Sequence, residues 1–153
     1  MQSIVQRGIT ERRHNRHPFI DSVNREAGNS IAAPYCAAVV GHCLNVAAAK
    51  EPRYRGGLAI RYRERGCTDA RTVIAKKAQV QIGDLAIWRR GDTYKGHIGI
   101  VERVVDQRTV VTLEANTSPG KGSVRDGDGI YRRTRTIQPY NYFGIKYFQP
   151  VRY

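Results

Sequence analysis

The hydrophobic pattern of this chain changes period once, near Gly83, and that change restricts the folds open to it. Ahead of Gly83 the apolar residues fall at helical spacing. Phe19, Ile20 and Val23 form a stripe that Pro18 can open and Gly28 can close. Pro34 opens a second helical segment, expected to run to about Ala49 and to end before Pro52. Its Tyr35, Cys36, Val39, Val40, Leu44 and Val46 leave almost no polar side, which is the mark of a helix enclosed by other elements. A shorter helix is expected over 58–64, stopped by Gly66, while 68–80 suits either a further short helix or an extended lead-in.

Beyond Gly83 the segments are short and strand-like. Strands are expected at 84–89, 97–105, 109–116, 130–136 and 143–151, the second and third joined as a hairpin. A Gly- and Ser-rich loop, 117–127, precedes the fourth. Helices followed by consecutive strands give an α+β fold, N-terminal helices packed on a C-terminal antiparallel sheet of about five strands. Residues 1–15 are polar, basic and weakly periodic, and read as a basic lead segment, either a loose arm or a short irregular lead. Residues 16–153 form one domain, long enough to bury a core without disulfide or metal staples.

The charge balance is unusual. Twenty-six Lys and Arg face 13 Asp and Glu, a formal +13, and 20 of the 26 are arginine. Arginine binds carboxylate and phosphate as a rigid fork. The expected partner is a polyanion such as nucleic acid, teichoic acid, lipopolysaccharide or anionic peptidoglycan, with a well-solvated surface as the plainer alternative. No apolar run approaches the roughly 18 residues that a membrane helix needs. The first residues carry no apolar core of a secretory signal, so the protein is expected to work in the cytoplasm or to be carried out by another agent.

Cys36, Cys43 and Cys67 are an odd number, with neither C-x-x-C nor zinc-ligand spacing, so no metal or other cofactor is expected. Cys43 and Cys67 read as small buried apolar residues. Cys36 differs. It follows Pro34 by two residues, in the first turn of the second helix, where a thiolate meets the helix dipole and free N–H groups. Its other reading is a core cysteine. Among the histidines only His97 has a setting to match: Gly96 before it and Gly99 after it leave the ring uncovered, while Ile98, Ile100 and Val101 anchor the strand. His14, His17 and His42 lack such a context. A base histidine needs a partner to fix its tautomer. Glu114 and Asn116 share a face of the next strand by the two-residue period, and either could reach the ring. The carboxylate is favoured because it also stabilises an imidazolium. The other reading is a pair of solvent-facing strand ends.

Three segments together resemble the CHAP family, the cysteine/histidine-dependent amidohydrolases/peptidases within the wider papain-like NlpC-type peptidases. They are 33–40 around Cys36, 83–88 with 96–101 around His97, and 114–117; the stretch 127–133 is similar to a later strand of phage lysins. The resemblance spans about residues 18 to 148. It implies a papain-like fold and hydrolysis of peptidoglycan, with Cys36 as nucleophile, His97 as base, Glu114 as orienting group and Asn116 beside it. It also implies action at the bacterial cell wall, after release by a holin or delivery by a secretion machine, with an immunity or delivery protein as a conceivable partner. Tyr35 stands where many members have Trp. The fragment 126–129 looks like part of a calcium loop but lacks the later acidic ligands, so calcium is not expected. Two rivals stay open: an Arg-rich nucleic-acid-binding protein, which leaves the Gly-His context unexplained, and an inactive phage structural relative.

Overall fold

The computed structural model describes residues 1–47, 56–63, 67–89, 92–119, 127–139 and 141–144. The helices are α1 (Gln2–Gln6), α2 (Pro18–Glu26), α3 (Cys36–Val46) and α4 (Ala70–Ile74), with a 3-10 turn at Ala59–Tyr62. The strands are β1 (Thr68–Asp69), β2 (Leu85–Arg89), β3 (Gly96–Asp106), β4 (Thr109–Thr117), β5 (Gly129–Thr136) and β6 (Asn141–Gly144). They form one sheet in the order β1-β6-β2-β3-β4-β5, with every pair antiparallel. The α+β, papain-like arrangement expected from the sequence is therefore present. The sheet has six strands rather than about five because Thr68–Asp69 adds a two-residue edge strand beside β6. The expected end of the second helix near Ala49, the stop at Gly66, most of the Gly- and Ser-rich loop including Asp126, and the last strand beyond Gly144 lie outside the described residues.

α3 is central for the reason its composition gives. Ala37, Ala38, Val39, Val40 and Leu44 are all buried, packed against Ile20 and Val23 of α2 and against Leu85, Ile87, Ile98 and Ile100 of the sheet. The register places Leu85 opposite Ile100 and Ile87 opposite Ile98, so these four point into one cluster. Ala86, Val101 and Val110 point into a second, with Val73 of α4 and Ile137. α2 starts at Pro18 as expected, and the Nδ1 of His17 accepts from the N–H of Phe19 to cap it.

The lead is not a loose arm. It forms α1 and then runs beside β5, where Ile130 N–H donates to Ile9 O at 3.1 Å and Glu11 N–H donates to Asp128 O at 2.6 Å. Ile4 and Ile9 are buried in the first cluster. Two buried apolar residues without a shared period are enough here, because the segment covers the otherwise open edge of β5.

Candidate active site

α3 begins at Cys36, which is buried. No side chain caps this helix, so its first-turn N–H groups carry the partial positive charge of an uncapped N-terminus. The preceding segment is fixed from the side. Ala32 adopts a left-handed conformation, φ 71°, and its carbonyl accepts from Asn15 Nδ2 at 2.9 Å. Asn24 Nδ2 donates to Ala33 O at 3.0 Å. The hydroxyl of the buried Tyr35 donates to Glu11 Oε1 at 3.0 Å, and Glu11 Oε2 accepts from the backbone N–H of Asn15 at 2.6 Å. The residue that would break a helix or strand, a non-glycine at positive φ, is thus held by two buried asparagines. The cysteine follows in a defined place.

His97 sits near the start of β3, opposite Trp88 of β2. Their ring centroids are 5.5 Å apart at a tilt of 40°. Nε2 of His97 lies 2.8 Å from Glu114 Oε2. The Cys36 side chain also acts on the ring and favours its charged form. Burial pushes the imidazole down, but hydrogen bonds to Cys36 and Glu114 outweigh it and raise its pKa to about 9. The ring therefore prefers to be charged at neutral pH.

Glu114 has no exposed side-chain surface. Besides His97 it accepts from Thr112 Oγ1 at 2.5 Å, from Arg135 Nε at 2.7 Å and from Arg135 Nη2 at 2.5 Å. Burial pushes its carboxyl upward; the bonds from Arg135 and His97 reverse this and hold it near 2. The guanidinium of Arg135 also stands 5.4 Å from the Trp88 ring. Gly99 makes the passage between strands. It pairs with Glu114, and a Cβ there would lie 2.7 Å from Glu114 Cγ and 2.9 Å from Leu113 O. The glycine flanking His97 thus serves to let the carboxylate lie across the strand to the ring.

The expected companion, Asn116, does not continue the strand alternation. The register shifts between Ala115 and Thr117, and Asn116 has φ 57°, so the two-residue period that paired it with Glu114 is broken by a bulge. Its Oδ1 is buried without a hydrogen-bond partner, and none of the hydrogen bonds among the described residues joins it to His97. Cys43 is buried, with its thiol 3.5 Å from Met1 Sδ, and Cys67 is partly buried against the same core. Among the described residues no group of three or more His, Cys, Asp or Glu gathers as a metal site would.

One imidazole therefore stands between a helix-start thiol and a buried carboxylate. Residues 26–116, more than half of the chain, match the family model of the CHAP domain. The chain belongs to the CHAP family. No curated protein and no solved structure is a match to it. Membership makes this CHAP domain one of a family of hydrolases that act as amidases or peptidases on peptidoglycan. No helix among the described residues is long and apolar enough to cross a membrane.

Sequence reasoning did not single out four residues that neighbour this candidate site. Thr112 carried a usable signal, since it is two residues before Glu114 on the same strand face. Arg135 and the placement of Trp88 beside the ring carried none, because they reach the pair only through the pairing of β5 and β2 with their neighbours. Asn15 lay in the segment read as a loose lead.

Proposed function

We propose that this CHAP domain is a cysteine hydrolase that cleaves an amide or peptide bond of peptidoglycan through an acyl-enzyme. Cys36 is the nucleophile, His97 the acid and base, and Glu114 the group that orients and charges the ring; Asn116 borders the site. The observation that supports this most directly is the single imidazole shared by Cys36 and Glu114.

The reaction follows from that arrangement. The Cys36 thiolate adds to the scissile carbonyl carbon, and the carbonyl electron pair moves to oxygen. The uncapped first-turn N–H groups of α3 face a charge of that sign. His97 gives its proton to the leaving nitrogen as the C–N bond breaks, which leaves a thioester on Cys36 and an amine that departs. The neutral ring then takes a proton from water. The hydroxide equivalent adds to the thioester, and collapse releases a carboxylic acid and restores the thiolate–imidazolium pair. General acid–base transfer of this kind is worth about 10²–10⁴ in rate. Glu114, held ionised near 2, stabilises the charged ring throughout.

The +13 charge supports attraction to an anionic envelope polymer around the wall. Part of the arginine content is internal to the fold: Arg16, Arg71, Arg89, Arg132 and Arg135 each hold a carboxylate. The test is digestion of purified sacculi with identification of the new ends by mass spectrometry. New amine and carboxyl ends at the muramoyl–L-alanine amide, a stem-peptide bond or a cross-bridge are the expected result. New reducing sugar ends alone, or no new ends, would refute the proposal.

A further inference from the structure

Among the described residues, Arg16, Arg71 and Arg132 are ion-paired arginines with about half or more of the side chain exposed. Arg135 differs: its side chain is only 17% exposed, and its fork is spent on Glu114 while its face lies over Trp88. We propose that Arg135 is a positioning residue for the Cys36–His97 pair: its guanidinium keeps Glu114 ionised and locks the carboxylate and Trp88 in the arrangement that holds the His97 ring. The inference rests on Cys36 and His97 being the reacting pair.

The physical need for such a residue comes from burial. A fully buried carboxylate beside an imidazolium that is only a quarter exposed can lower the cost of its charge by taking the proton, which leaves two neutral groups. Here the proton would leave Nε2 of His97 for Glu114, and the ring would lose the charge that favours a thiolate at Cys36. A guanidinium keeps its own proton throughout the working range, so it can only donate. By donating to both oxygens of Glu114, at 2.7 and 2.5 Å, Arg135 makes the carboxylate a poor base, and the proton stays on the ring. Thr112, at 2.5 Å, adds a neutral donor from the same strand. The charged groups that act on Glu114 are His97 from β3 and Arg135 and Arg133 from β5, with Cys36 of α3 beyond the ring. Arg133 adds a second buried cation from the same strand, but the hydrogen bonds to both carboxylate oxygens come from Arg135.

The geometry adds a mechanical part. Arg135 is 5.4 Å from the Trp88 ring, and Trp88 is 5.5 Å from His97. One side chain thus touches both supports of the imidazole, the carboxylate that binds Nε2 and the indole that flanks the ring. Bidentate binding also fixes the plane of the carboxylate, which a single donor would leave free to turn.

The test uses the full chain and two variants, Arg135→Met and Arg135→Lys. The first readout is the rate of alkylation of Cys36 by iodoacetamide against pH, with the site confirmed by mass spectrometry; it needs no wall substrate. The second is sacculus digestion over the same pH range. In Arg135→Met the midpoint of alkylation moves up by about one pH unit or more, so that alkylation below it slows by about tenfold. Digestion falls by a similar factor at neutral pH, and its alkaline limb moves down. Arg135→Lys keeps one donor and falls between Met and wild type. If Arg135→Met does not fold, the Lys variant carries the test through the direction of its midpoint. Profiles with the wild-type midpoint in the folded variants, merely scaled down at every pH, would show a structural role only and overturn the proposal. A shifted alkylation midpoint with no sacculus digestion by wild type would uphold Arg135 while refuting peptidoglycan as substrate.

Discussion

Replacing Glu114 by glutamine changes one atom at the centre of the site, and the structure says how much that atom matters. The carboxylate accepts four hydrogen bonds, from His97, Thr112 and twice from Arg135. A carboxamide has one oxygen and one NH2. Whichever way it turns, its NH2 meets a donor, either Nε2–H of His97 or the fork of Arg135. Removing one partner of a buried ion pair costs about 3–5 kcal/mol, within the 5–15 kcal/mol that holds a typical domain together, so the variant should remain folded but melt at a lower temperature. Turnover should suffer more. The ring loses the anion that helps keep its pKa near 9, and it loses its fixed orientation; an equivalent loss of a charged orienting group lowers turnover by about 10²–10⁴. The sign with pH is set by the same bond. The wild-type ring stays protonated until about pH 9, so the alkaline limb of the rate profile should lie there and should move down in Glu114→Gln. The assay is initial rate of sacculus digestion from pH 5 to 10 for wild type, Glu114→Gln and Asn116→Ala. Asn116→Ala should lose much less, since Asn116 makes no hydrogen bond to the ring. Equal small losses in both variants, with an unmoved alkaline limb, would refute the assignment of Glu114 as the third group.

Cys36→Ser should abolish sacculus digestion with the far-UV circular dichroism unchanged, while Cys43→Ala and Cys67→Ala keep most of it; wild-type digestion by Cys36→Ser would remove the nucleophile. Gly99→Ala should put a Cβ against Glu114 Cγ and Leu113 O, cost about 1–3 kcal/mol of stability by overpacking, and lower turnover beyond that by pushing the carboxylate off the ring; a variant with normal turnover would show that Glu114 does not need the gap. Digestion of whole sacculi should fall steeply with salt, because screening shortens electrostatic reach to about 10 Å at 0.1 M, whereas hydrolysis of a short neutral stem peptide should not; parallel salt curves would show that the basic surface is not the wall anchor.

The parts of the fold that one element's own pattern dictates were legible in the sequence. α3 is apolar on nearly all sides and is enclosed; β2 to β5 are short strand-like runs set apart by turns and pair as a sheet. His97 stood out because Gly96 and Gly99 are rare company for a strand residue, although the second glycine turns out to make room for Glu114. What was illegible depends on pairing between distant segments. Arg135 finds Glu114 only once β5 lies beside β4, and Thr68–Asp69 becomes a strand only because β6 is beside it. Asn116 was misplaced because a bulge, set by one left-handed residue, breaks a period that otherwise holds along the strand. The lead was misread because Ile4 and Ile9 have no periodic partner in sequence; their partners are in α3 and β5.

That lead has a consequence for the order in which the site can exist. Asn15 and Glu11 fix the loop ahead of Cys36, yet they are themselves held by the pairing of Ile9 and Glu11 with Ile130 and Asp128. Contacts of such long sequence separation carry a loop-closure cost before they are rewarded, so this frame forms slowly. A partly folded chain carries the cysteine and the helix that bears it but lacks the frame that aims it. Breaking the pairing of Ile9 with Ile130 should thus disturb the place of Cys36 before it disturbs the sheet.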